Sequence, residues 1–153
     1  MNKTKRLKAT KWQAFALLVV TLMAIVSCSY SEEKAIEQSA MGFADNFFNM
    51  RYREALAFCT PESAKWVRFK ASNITQENVD CFNEQTEPTR CSVESIELDD
   101  EQAEVEVEVQ NYLNCDTIGK PGIVCPEAKF RLSLRKANDR WLVDIQEPIK
   151  ETR

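Results

Sequence analysis

From Ser95 to Leu113 the chain reads SIELDDEQAEVEVEVQNYL, in which apolar residues alternate with acidic ones. A helix would spread Val105, Val107 and Val109 around its axis, whereas a strand puts all three on one face. The second half of the chain is therefore confined to a sheet with one buried side. Ile96 and Leu98 form one arm of a hairpin, Asp99, Asp100 and Glu101 its turn, and Ala103, Val105, Val107 and Val109 the other. KFRLSLRK (129–136) alternates Phe130, Leu132 and Leu134 with polar residues, ANDR (137–140) turns the chain, and WLVDI (141–145) closes the sheet. Pairing Leu134 with Trp141, Leu132 with Val143 and Phe130 with Ile145 keeps one apolar face.

Before Cys91 the period is helical. Ile36, Ala40, Phe43, Phe47 and Met50 recur at steps of four and three, which predicts a helix over 32–50 with Glu32, Glu33 and Glu37 in its first turns. Asp45 falls off its apolar face. Shorter helices follow over 52–59, after TPES with Thr60 as cap and Pro61 at the first position, and after Thr75, with Val79 and Phe82 as the buried residues of the last. Helices first and a four-stranded antiparallel meander second is an α+β arrangement, with the helices on one side of the sheet.

Glu104, Glu106 and Glu108 point away from that core. With Val105 opposite Leu134, Glu104 faces Arg135 and Glu108 faces Arg131, so the row reads as cross-strand ion pairs. A calcium surface is disfavoured, because calcium takes flexible oxygen-rich loops rather than a flat strand.

The N-terminus carries the address. Lys3, Lys5, Arg6, Lys8 and Lys11 precede the thirteen-residue run Ala14–Val26, apolar but for Thr21. That is short for a spanning helix, which needs ~20 apolar residues, and suits a secretory signal. Ile25-Val26-Ser27-Cys28 resembles the bacterial lipobox, which implies cleavage before Cys28 and acylation of its thiol, anchoring the chain to a bacterial envelope membrane, the outer one expected. Residues 1–27 are read as signal, 28–33 as lipidated tether, 34–147 as the domain and 148–153 as a tail. Loss of the signal leaves fifteen basic residues against 24 acidic ones, a net charge of −9. Such a domain has no electrostatic case for nucleic acid.

Five cysteines remain. Cys81 with Cys91 and Cys115 with Cys125 share a spacing of ten across polar loops, and an exported chain would join them as disulfides, leaving Cys59 as a buried free thiol. The competing pair is Cys59 with Cys81. The chain has no His and no Cys-x-x-Cys, so no metal centre or other cofactor is expected, nor a His-dependent nucleophile. A carboxylate base is the one catalytic device left, with Glu54 and Asp144 as candidates.

The helix AIEQSAMGFADNFFNMRYREALAFCTPES, the meander VESIELDDEQAEVEVEV and the closing DRWLVDI together resemble small Bacteroides-type lipoproteins carrying a nuclear-transport-factor-2-like (cystatin-like) domain of unknown function. The resemblance implies a curved sheet wrapping the first helix around a conical cavity, here lined by Phe43, Phe47, Trp66, Val107, Val109, Phe130, Leu132 and Trp141. Asn111 continues the inward row as its one polar residue. Members of that superfamily include isomerases, dehydratases and hydrolases as well as binding and scaffold proteins; the Gln-x-Val-x-Gly loop of true cystatins is absent. The apolar lining points to a non-enzymatic module for an envelope partner or a small apolar ligand, with a carboxylate-based lyase, isomerase or hydrolase as the alternative. Asp116-Thr117-Ile118 resembles an O-glycosylation acceptor of the same bacteria, and Ser29 to Glu33 resembles their acidic surface-export signals.

Overall fold

The computed structural model describes residues 30–115 and 120–152. The signal segment, Cys28 and Thr117 lie outside the described residues. The chain divides into two units, 1–34 and 35–153. Residues 30–34, the described part of the first, are helical.

In the second unit helix α1 covers 35–48. It is followed by α2 (Tyr52–Ala55), a 3-10 turn (Leu56–Phe58), α3 (Ala64–Ser72) and α4 (Gln76–Asn83). Strands β1 (Arg90–Asp99), β2 (Gln102–Asn114), β3 (Ile123–Ala137) and β4 (Arg140–Val143) form one antiparallel sheet in sequence order. The architecture is α+β, with the helices on one face of a four-stranded meander.

The α1 stripe that the periodicity marks is the helix's buried face: Ile36, Ala40, Phe43 and Phe47 enter one core with Val105, Val107, Val109, Phe130, Leu132, Leu134, Trp141 and Val143. Ser39 Oγ donates to the Trp141 carbonyl at 2.6 Å, fixing the helix to β4. Gly42 permits the close approach of the 3-10 turn, since a Cβ there would sit 2.3 Å from the Phe58 ring. The helix ends in a Schellman motif: Met50 N donates to Phe47 O and Arg51 N to Asn46 O. Met50 holds the left-handed position (φ 59°) that glycine usually occupies.

The strand faces agree with the alternation, but the register is displaced by two. Leu134 pairs with Val143 rather than Trp141, and Val105 with Leu132 rather than Leu134. Between β3 and β4 the cause is the turn. Asn138 and Asp139 both have positive φ, which closes a two-residue hairpin between Ala137 and Arg140 and pairs Lys136 with Trp141. An even shift keeps every side chain on its face. Across the outer face Lys129 Nζ bonds Glu106 at 3.2 Å and lies 3.8 Å from Glu94, while Ser133 Oγ donates to Glu104 at 2.6 Å. The expected pairs of Glu104 with Arg135 and Glu108 with Arg131 are not formed. Glu106 takes the cross-strand ion pair, Glu104 a serine hydroxyl, and Glu108 accepts from Gln110 Nε2 on its own strand at 2.8 Å, while Arg135 turns to Glu62 and Asp144.

Two local readings are corrected. Asn111 does not continue the inward row: its φ of 53° reverses the phase of β2, so Tyr112 takes the next core position. The residue on β3 between the flanking pairs is Pro126, which has no N–H; the Asn111 carbonyl accepts from Thr89 Oγ1 at 2.8 Å and Gln85 Nε2 at 3.2 Å. In α4 the buried residue is Asn78, not Val79 or Phe82, because Asn78 closes a capping box with Thr75.

Candidate functional site

A cavity of about 470 Å³ opens where the C-terminal end of α1 meets α3, the C-terminal end of β2, Phe130 in the middle of β3, and the segment after β4. Its aromatic wall is built from Phe47, Phe48, Tyr52, Tyr112 and Phe130. These rings pack against one another: Phe48 lies 4.5 Å from Phe130 and 6.0 Å from Tyr112, and Phe47 meets Tyr52 edge-on at 5.5 Å. Helix α3 contributes Trp66, Phe69 and Lys70, and its C-cap residue Asn73 joins them. Trp66, Lys70 and Asn73, at steps of four and three, form one stripe.

The far wall comes from the last residues. Glu151 bridges to Phe130, and Thr152 N donates to Lys129 O at 2.7 Å, so the chain after Val143 runs back along β3. That pairing brings Ile145, Pro148, Ile149 and Lys150 to the cavity. Tyr112 donates its hydroxyl to Glu151, which also accepts from Asn114 Nδ2. Burial pushes the Tyr112 phenol well above its ordinary value, and the bond to Glu151 raises it further. At neutral pH it is a hydrogen-bond donor and not a base.

Of the residues expected to line a cavity, Phe47, Trp66 and Phe130 do so. Phe43, Val107, Val109, Leu132 and Trp141 do not line this one; they belong to the core, filled by the stacked pair Phe43–Phe47 (5.2 Å), and Leu132 borders a separate pocket beside Asp144. Phe48 lies beside the α1 stripe that the period marks, while Tyr112 and Leu113 were hidden by the phase reversal at Asn111 and Ile145 by the return of the C-terminal segment. Ile149 beside Pro148 was the only signal that this segment packs.

The two candidate carboxylates lie elsewhere. Glu54 is exposed on α2. Asp144 belongs to a knot on the other side of β4: its Oδ1 accepts from Thr60 Oγ1 at 3.0 Å and lies 3.5 Å from Ser63 Oγ and Arg135 Nε. Ser63 Oγ accepts from Ile145 N at 2.7 Å. Among the described residues no cluster of three His, Cys, Asp or Glu side chains could hold a metal ion.

The cysteines are not crosslinked. Cys59, Cys81, Cys91, Cys115 and Cys125 are all thiols, so neither Cys81–Cys91 nor Cys115–Cys125 is joined. Cys125 stands opposite Tyr112, and Asn114 opposite Ile123, which leaves Cys115 three residues along. At 3.2–3.4 Å per residue that is about 10 Å, beyond the Cα limit of about 7 Å for a disulfide. Cys81 on α4 donates to the Gly122 carbonyl at 3.6 Å, whereas Cys91 on β1 sits opposite Val109. Burial, followed by the charge of Asp45 and a hydrogen bond to it, pushes the Cys91 thiol up to about 12. Cys59 is buried, its Sγ 3.7 Å from the Leu56 carbonyl, and burial raises it too. Neither is a thiolate nucleophile at neutral pH.

No family model matches the sequence, and no curated protein does. Among solved structures the chain is similar to a crystal structure of a candidate NTF2-like transpeptidase from Campylobacter jejuni. The TM-score is 0.48 and the identity 16%, covering 72% of this chain and 97% of that one.

Proposed function

We propose that this chain is a lipid-anchored protein of a bacterial envelope whose domain binds a small apolar ligand without transforming it. The cavity carries the reading. Its volume falls in the range of small-molecule sites, its wall is aromatic, and a few polar groups stand at fixed places among the rings. The absence of chemistry is argued from the same lining. The charged groups among the described lining residues are Lys70 and Lys150, and the carboxylates expected to act as bases are engaged or exposed away from it. The anchor rests on the basic N-terminus, the thirteen-residue apolar run and the lipobox-like Ile25-Val26-Ser27-Cys28.

Titration of the full chain with the neutral fluorophore N-phenyl-1-naphthylamine tests the binding half. One saturable site is expected, lost in an Ile149→Trp variant that fills the cavity. Non-saturating partition, or binding indifferent to Ile149→Trp, contradicts it. For the anchor, Cys28→Ala should yield an uncleaved or a soluble chain; a cleaved variant still held in the membrane refutes acylation.

A further inference from the structure

One edge of the sheet is open. β4 is flanked by Cys59 and Thr60, whereas among the described residues no backbone bond reaches the outer side of β1. Which groups face that side follows from the ladder. In an antiparallel strand the N–H and C=O of one residue point the same way. Ser133 O accepts from Asp144 N and Lys129 O from Thr152 N, so both residues turn away from β2. Their partners Glu104 and Glu108 therefore bond β1, at Glu97 and Ser92. The alternate residues Cys91, Val93, Ile96 and Leu98 present their backbone groups outward. These are also the apolar residues of β1, half-buried apart from the exposed Leu98, and they share the core face with Val109, Val107, Val105 and Ala103.

A bulge interrupts the ladder between Val93 and Ser95, leaving Glu94 without an opposite residue on β2. Bulges ordinarily deter pairing at an edge, because a regular strand laid against one falls out of phase. A second copy of this chain carries the same bulge. Placed about a two-fold axis between Glu94 and Ser95, it sets Val93 against Ile96, Cys91 against Leu98, Ser92 against Glu97 and Arg90 against Asp99. Every such pair shares a face, and the first two also turn their outward backbone groups toward each other. The strand is thus complementary to itself. Apolar residues meet on the core face, and on the other face the exposed Arg90 meets the exposed Asp99. Glu94, nearest the axis, is matched by Lys129 of its own chain at 3.8 Å. We infer that two copies of this chain join by antiparallel pairing of β1 with β1, merging two four-stranded sheets into one of eight. The cavity takes no part in this contact, since none of its described lining residues belongs to β1.

Sedimentation velocity of the full chain from micromolar to millimolar concentration tests the pairing, and a monomer–dimer equilibrium is expected. Leu98→Pro removes an N–H that points outward rather than into the β1–β2 ladder, and it does so at an exposed residue. It should keep the fold, read by circular dichroism, and weaken the dimer about tenfold or more. Arg90→Glu and Asp99→Arg, each setting like charges opposite one another, should each weaken it about tenfold, and the two together should restore it. That rescue decides the matter even if Leu98→Pro does not fold. A monomer at every concentration overturns the inference and leaves the edge to a strand of some other protein. A dimer indifferent to Leu98→Pro, or charge reversals that the double variant does not rescue, places the contact on another surface and overturns it as well.

Discussion

Phe43→Ala should destabilise the domain by about 3–5 kcal/mol, the range for truncating a buried aromatic side chain. Phe43 is fully buried on the sheet-facing stripe of α1 and stacks on Phe47. Its neighbours are Val and Leu side chains projecting from strands whose register the hairpin turns fix, so the site has little room to collapse. Alanine's better helix propensity returns at most about 0.7 kcal/mol. Against a total stability of about 5–15 kcal/mol the loss is large, and urea denaturation should show it as a lower midpoint. A change under about 1 kcal/mol would mean that α1 is not seated on the sheet as described.

Ser63→Ala should cost about 2–3 kcal/mol although it removes one oxygen atom. Ser63 is fully buried; its hydroxyl accepts from Ile145 N and lies 2.6 Å from Thr60 Oγ1. Alanine leaves the Ile145 N–H without a partner inside the protein, where water cannot replace the bond. The loss extends beyond that bond. Thr60 N donates to the Val143 carbonyl, so residues 59–60 lie along the outer edge of β4, and Ser63 secures the same edge from the start of α3. Thermal unfolding measures the effect, and a loss below about 0.5 kcal/mol would show that the Ile145 N–H finds another acceptor.

What was legible in the sequence was the hydrophobic period. The buried faces of α1, β2 and β3 follow directly from steps of three and four and of two, because burial selects side chains and side chains are what a sequence spells. The register was not legible to the residue. Between β3 and β4 it hangs on whether Asn138 and Asp139 both adopt positive φ, and between β2 and β3 as well a one-dimensional pattern with an even period is indifferent to a slip of two. Asn111 shows a sharper limit: its residue type is permissive of the left-handed region but does not require it, and its choice decides whether Asn111 or Tyr112 faces the core. The cysteine spacing misled for a related reason. Ten residues close a loop comfortably in an unfolded chain, but in the hairpin they are set by ladder register, which leaves Cys115 out of line with Cys125. The cavity was half legible, since Phe47, Trp66 and Phe130 were among the residues that the family resemblance implied would line one. Its far wall was not, because Pro148 to Lys150 is brought there by backbone pairing of Glu151 and Thr152 with β3, and such pairing leaves no mark in side-chain chemistry.

The measurement that bears most directly on the account is diffraction from crystals of the chain grown with 1-bromodecane, with the bromine located by its anomalous signal. The account predicts one ordered molecule between the Phe48–Phe130–Tyr112 wall and the α3 stripe of Trp66, Lys70 and Asn73. Bromine only on the exposed Ile123 and Val124, or a cavity closed by Phe69 and Ile149 with nothing inside, would contradict it.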